Sequence, residues 1–138
     1  MAPHDLTKGM QTAQTIWHEA HDAAGGRGGR FDLAAFKGQI LYANGETAAF
    51  AGAEVIETSD DKEPFTGNWT VLLKDGSVSN QTFTGVATFK EGPDRVGGTG
   101  NWAMIGGTGR FATLRARGTF TWSIDGDDYR AEFSAASP

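Results

Sequence analysis

The chain predicts an all-β domain, an eight-stranded antiparallel β-barrel, and three observations carry that prediction. From Phe31 onward, short segments of alternating or β-rich character are separated by Asn-Gly, Asp-Gly, Gly-Pro-Asp and Gly-Gly pairs, the punctuation of successive hairpins. The 20 glycines are spread along the chain instead of gathered in one linker, so the elements are many and short. With 138 residues, the chain is the length of one domain and long enough to bury a core without disulfide or metal staples. A single domain over 1–138 is expected, with 1–7 as a flexible N-terminus.

Residues 8–22 carry two patterns. Met10, Ala13, Trp17 and Ala20 fit helical spacing, whereas Thr12, Thr15, Ile16 and Trp17 favour a strand. A barrel also needs a first strand to close against its last and remove exposed edges. A strand over 8–22 is the reading adopted, with a helix as the alternative. Phe31 to Tyr42 and Glu46 to Glu57 flank Asn44-Gly45, a pair suited to the positive φ angles of a tight hairpin. Phe65 to Leu73 and Val78 to Lys90 flank Asp75-Gly76 in the same way. In the first of these, period-two geometry puts Trp69, Val71 and Leu73 on one face. In the second, Phe83, Ala87 and Phe89 oppose Thr82, Thr84 and Thr88. Between Arg110 and Ile124 the alternation is cleanest, with Leu114, Ala116, Phe120, Trp122 and Ile124 apolar and Thr113, Arg115, Arg117, Thr119 and Thr121 polar. Tyr129, Ala131 and Phe133 then supply the core side of a last strand.

Composition narrows the function. The chain has no cysteine, which excludes thiolate chemistry and suits a reducing compartment. Met1 to Met10 lacks the apolar run of a signal peptide, and no stretch approaches the roughly 20 apolar residues of a membrane span. A soluble, cytoplasmic protein without a membrane partner is expected. A formal charge of −5 argues against nucleic acid, whose binding leans on clustered lysine and arginine. Gly25-Gly26-Arg27-Gly28-Gly29-Arg30 offers arginines for phosphate, but as one copy in an acidic chain it reads as a mobile hairpin loop.

The run Gly100-Asn101-Trp102-Ala103-Met104-Ile105-Gly106-Gly107-Thr108-Gly109-Arg110-Phe111, followed by Gly118-Thr119-Phe120-Thr121-Trp122, resembles the C-terminal signature of the bacterial allene oxide cyclase-like barrels. Phe36-Lys37-Gly38, Ala43-Asn44-Gly45-Glu46 and Lys74-Asp75-Gly76-Ser77 fall upstream in the order those proteins use. The resemblance implies an allene oxide cyclase/dirigent-like barrel with an apolar central cavity, a cyclase or isomerase activity, and assembly into homo-oligomers. Plant members place a glutamate on the inner side of the first strand, and Trp17 and Glu19 stand near that place here. Independently of the resemblance, Gly106, Gly107 and Gly109 suit a tight corner that Thr108 would tie. Neither this run nor Gly97-Gly98-Thr99-Gly100 is followed by the Gly-Lys-Ser/Thr of a phosphate cradle, so both read as turns.

His18-Glu19-Ala20-His21-Asp22 is the densest titratable cluster. Its histidines stand three apart instead of the four of a metalloprotease helix, and on a strand they point to opposite faces, so no metal is expected. On that strand Trp17, Glu19 and His21 share a face, where a carboxylate beside an imidazole suits proton transfer. Glu19 and His21 are therefore the candidate catalytic residues, against the plainer reading of strand-end surface groups. Trp17, Tyr42, Trp69, Phe83, Trp102, Phe120, Trp122 and Tyr129 are the candidate lining for a small apolar organic ligand, or else they fill the barrel. Small barrels have room for one outcome or the other. The expected function is a cofactor-free cyclase or isomerase that works by holding a substrate in shape, with a ligand carrier or a structural oligomer as the alternatives.

Overall fold

The computed structural model describes residues 6–22, 30–58, 63–89, 95–125 and 128–136. Eight strands, β1 (Lys8–Asp22), β2 (Arg30–Tyr42), β3 (Thr47–Thr58), β4 (Glu63–Leu73), β5 (Val78–Phe89), β6 (Arg95–Gly107), β7 (Arg117–Asp125) and β8 (Asp128–Ala135), follow one another in a closed antiparallel barrel. Closure runs from Lys8 opposite Ser134 to Ala13 opposite Tyr129, so no edge is left along that seam. Residues 8–22 form a strand and not the helix that their spacing also allowed. The expected loop at Gly25–Gly29 and the Gly-Pro-Asp turn lie outside the described residues.

Alternation decides what the barrel contains. Trp69, Val71 and Leu73 point inward from β4, and Phe120 and Trp122 from β7, while their neighbours face out. Large rings fit because glycine stands beside them. Gly85 and Gly100 pair across β5 and β6, flanked in register by Phe65 and Phe120. A Cβ on Gly100 would sit 2.5 Å from Phe120 Cζ and 2.5 Å from the Thr84 carbonyl oxygen. Phe65 and Phe120 thus lie over bare backbone, an alternation of large and small that lets a narrow barrel hold aromatic side chains.

One end of the barrel is shut. Leu6 is 1 % exposed and Phe111 is 0 % exposed, and both plug this floor with Tyr42, Leu73, Met104 and Phe133 in the same buried core. Thr7, next to Leu6, is also buried, and residues 1–5 lie outside the described residues. The hairpins at this end are alike. Gly45 (φ 93°) and Gly76 (φ 92°) take the left-handed conformation, while among the described residues no other residue type does. Asn44 and Asp75 instead accept, on their side-chain oxygens, the N–H of the residue two positions on, both at 2.8 Å. The expected positive φ is therefore confined to glycine, and the Asx bond holds the other half of each turn.

The Gly106–Phe111 run is the third piece of the floor. Thr108 N–H donates to the Val78 carbonyl at 2.8 Å and its Oγ1 accepts from Val78 N–H at 3.1 Å. Gly109 turns left-handed (φ 58°) where a Cβ would collide with Ser77. Ser77 Oγ then accepts the Arg110 N–H at 3.0 Å. A short 3-10 turn, Gly109–Phe111, drops Phe111 into the barrel. The alternation read from Arg110 becomes a strand only at Arg117, because these bonds to β5 hold 109–116 across the floor.

Candidate functional site

Toward the opposite end the described residues form a cup. A cavity of about 180 Å³ enters the barrel between β1, β2, β3, β4, β5, β7 and β8. Trp69, Phe83 and Phe120 form its base, with Trp69 stacked on Phe83 at 4.5 Å between ring centres. Phe36, Phe65, Trp122 and Tyr129 form its walls, Trp122 lying parallel to Tyr129 at 6.3 Å and edge-on to Phe65 at 5.5 Å. Among the described residues the interior is thus filled below and recessed above.

Few polar groups enter this apolar space. Glu54 points inward from β3 because Ala34 and Gly67, its partners on the neighbouring strands, also face the interior and leave it room. No hydrogen bond or ion pair to its carboxyl is found among the described residues. Burial pushes that carboxyl up to about 7, the direction expected when a charge loses water without gaining a partner. Burial, and secondarily the Glu54 charge, pushes the Tyr129 phenol well above its usual range, so it remains a neutral O–H near neutral pH. Glu63 and Thr15 complete the polar lining with Gln14 at the rim.

The first strand does not deliver the groups expected of it. A bulge between Thr15 and Trp17 inserts Ile16, so that Thr15 opposes Phe36 while Trp17 opposes Ala35. One extra residue reverses every later side chain on the strand. Trp17 is accordingly 49 % exposed, and Glu19 and His21 pair at 3.2 Å on the outer surface, both exposed. His21 stacks on Phe31 there, at 5.4 Å. None of the three lines the cup. The bulge turns His18 inward instead, where its Nε2 meets Asp32 at 3.3 Å on the ribbon above the mouth.

The remaining candidates divide by depth. Trp69, Phe83, Phe120, Trp122 and Tyr129 line the cup, whereas Tyr42 and Trp102 pack edge-on against Phe133 in the floor, at 6.0 and 5.9 Å. Two of the indoles are satisfied, Trp69 by Gln81 and Trp102 by the Thr119 carbonyl at 3.1 Å. Trp122 Nε1 is buried without a partner among the described residues. Sequence reasoning missed Glu54, Phe36, Phe65 and Ile56. The signal for Glu54 was an even-numbered run, Ala48, Phe50, Gly52, Glu54, Ile56, in which a carboxylate stands where the inward pattern calls for an apolar group.

Among the described residues no group of three His, Cys, Asp or Glu side chains gathers as a metal site. A larger surface concavity of about 810 Å³ crosses the outside of β1–β4 and is lined by Thr12, Gln14, Lys37 and Gln39 among others. It is open and polar-edged, where the cup is recessed and aromatic, and recessed apolar sites with few polar groups are the usual home of small ligands. No protein-family model, curated protein or solved structure matches the chain, and the cup's own chemistry is what speaks for a function.

Proposed function

We propose that the cup binds a small, mostly apolar organic molecule and that Glu54 exchanges a proton with it, the chemistry of a cyclase or isomerase. The observation that carries this reading is an unpartnered carboxyl, brought to about 7 by burial, inside an aromatic recess. A group with that pKa holds substantial amounts of both acid and base at neutral pH, the condition under which one residue both gives and takes a proton efficiently. Isomerisation needs no more than that, since the proton lost at one atom is regained at another and Glu54 is restored. The walls supply the other part by confining the substrate to a reactive shape, which lowers a barrier without further groups. Size limits the substrate. An apolar cavity of about 150 Å³ accepts benzene, so a space of about 180 Å³ suits one ring with a short substituent and not a long acyl chain. The resemblance of Gly106–Phe111 and Gly118–Trp122 to the allene oxide cyclase-like barrels supports the same class. A carrier role is the second reading, favoured by how few polar groups stand among the aromatic lining of the cup.

Native mass spectrometry of the protein from its own host, followed by tryptophan-fluorescence titration with ring-sized apolar compounds, tests the proposal. A retained or saturably bound molecule is expected, and the same spectrum reports any homo-oligomer. Turnover of that molecule lost in Glu54→Gln separates enzyme from carrier. An empty protein that responds to none of the compounds overturns the reading.

A further inference from the structure

We infer that the molecule held in the cup presents a protonated amine to Glu54, the ligand class being a small cyclic or aromatic amine. The inference rests on the cup being a ligand site and follows from what its lining offers. The charged groups among the described lining residues are Glu54 and Glu63, both acidic, and no lysine or arginine joins them. An anionic ligand would be repelled. A neutral one would leave the half-buried Glu54 carboxylate in an aromatic recess with no donor from the ligand to offset its lost hydration. An ammonium group carries three N–H donors and the opposite charge, and it satisfies both needs at once.

The walls fit the same group. A cation over an aromatic face is attracted by the negative face of the ring, most strongly when desolvated, and Phe65, Trp122 and Tyr129 form a contiguous aromatic wall in the recess that Glu54 lines. Among the described residues, the other ionisable groups around the mouth do not compete for the role. His18 and Asp32 pair with each other on the adjoining strands, Tyr129 is held neutral, and Glu63 lies at the start of β4 with no partner of its own among the described residues. A net charge of −5 further favours the approach of cations over anions.

Three ligands of one shape test this: benzylamine, benzyl alcohol and benzoate, titrated against the full chain by calorimetry or tryptophan fluorescence from about pH 6 to about pH 8.5. Benzylamine should bind about tenfold more tightly than benzyl alcohol at the upper end, and benzoate least. That preference should shrink below about pH 7, as Glu54 takes up a proton, and in Glu54→Gln the amine and the alcohol should bind within about twofold of each other. Benzyl alcohol binding as well as benzylamine at high pH, or an amine preference that persists in Glu54→Gln, overturns the amine inference and leaves the cup standing. Should Glu54→Gln fail to fold, the pH series on the native protein decides alone. Binding of none of the three, or binding that survives closure of the mouth by Ile56→Trp, overturns the cup and the amine together.

Discussion

Trp69 Nε1 donates to Gln81 Oε1 at 2.6 Å across the β4–β5 pair, in the middle of the barrel and directly beneath the cup. Gln81 passes the connection on, its Nε2 donating to Ser79 Oγ at 3.1 Å. The ring that forms the base of the cup is therefore fixed in rotation by a buried hydrogen bond and fixed in tilt by its stack on Phe83. A base so held gives the cup a defined depth before any ligand arrives, and prior order reduces what binding must spend on ordering side chains.

Gln81→Leu should destabilise the fold by about 1–3 kcal/mol, because it strands the Trp69 indole N–H where water does not reach. Pairing it with Trp69→Phe removes the stranded donor. The double variant should lose less than the sum of the two single ones, and urea unfolding of all four proteins measures the difference. Strict additivity would mean that the 2.6 Å contact contributes nothing to stability.

Two glycines on β6 separate close approach from open space. A Cβ on Gly100 meets both Phe120 and the backbone of β5, whereas one on Gly106 meets nothing within 4 Å. Gly100→Ala should cost several kcal/mol or prevent folding, since neither the ring nor the neighbouring strand has room to retreat. Gly106→Ala should be neutral or stabilising by up to about 1 kcal/mol through loss of unfolded-state freedom. Thermal melts of the two variants check the contrast.

The strands were legible in the sequence because they obey period two between turn signals, and β1 at 8–22 and the Trp69–Leu73 face were read correctly on that ground. What period two does not reveal is a bulge. Ile16 breaks no rule of β-propensity, yet inserting it sends Trp17, Glu19 and His21 outward and His18 inward. The floor was half legible. The Gly106–Phe111 run reads as a corner, but that the corner carries Phe111 into the barrel depends on Ser77 and Val78, some 30 residues away. Glu54 was legible only as a carboxylate at an inward-patterned position of β3. A lone carboxylate on a strand is ordinarily a solvated group, and only closure of the barrel shows that its neighbours are Phe36, Phe65 and Trp122.

Ile56 lies half-buried at the mouth, on the same face of β3 as Glu54. Ile56→Trp should fill the entrance with a ring and weaken any ligand of the cup at least tenfold. Because the added atoms enter open space and not packed core, the melting temperature should move little, whereas overpacking a filled core costs about 1–3 kcal/mol. Titration and melting of the same variant give both numbers, and unchanged affinity would place the ligand elsewhere.

Glu54 also makes the stability of the fold depend on pH, with a sign opposite to that of a salt-bridged carboxylate. Its ordinary value is 4.5 and burial raises it to about 7 in the folded chain, so between those values the folded state holds a proton that the unfolded state has released. Stability must then fall as pH rises through this window, and the loss is complete above about pH 7. Between about pH 5.5 and about pH 8.5 the Glu54 contribution amounts to about 2 kcal/mol. Urea unfolding at the two pH values should show the native protein weaker at the higher one. Glu54→Gln, which keeps the shape and removes the titration, should cut that difference by about 2 kcal/mol and be the more stable chain at about pH 8.5. An equal pH dependence in the two proteins would mean that the carboxyl is solvated, and the proton-transfer role proposed for it would fall with its pKa.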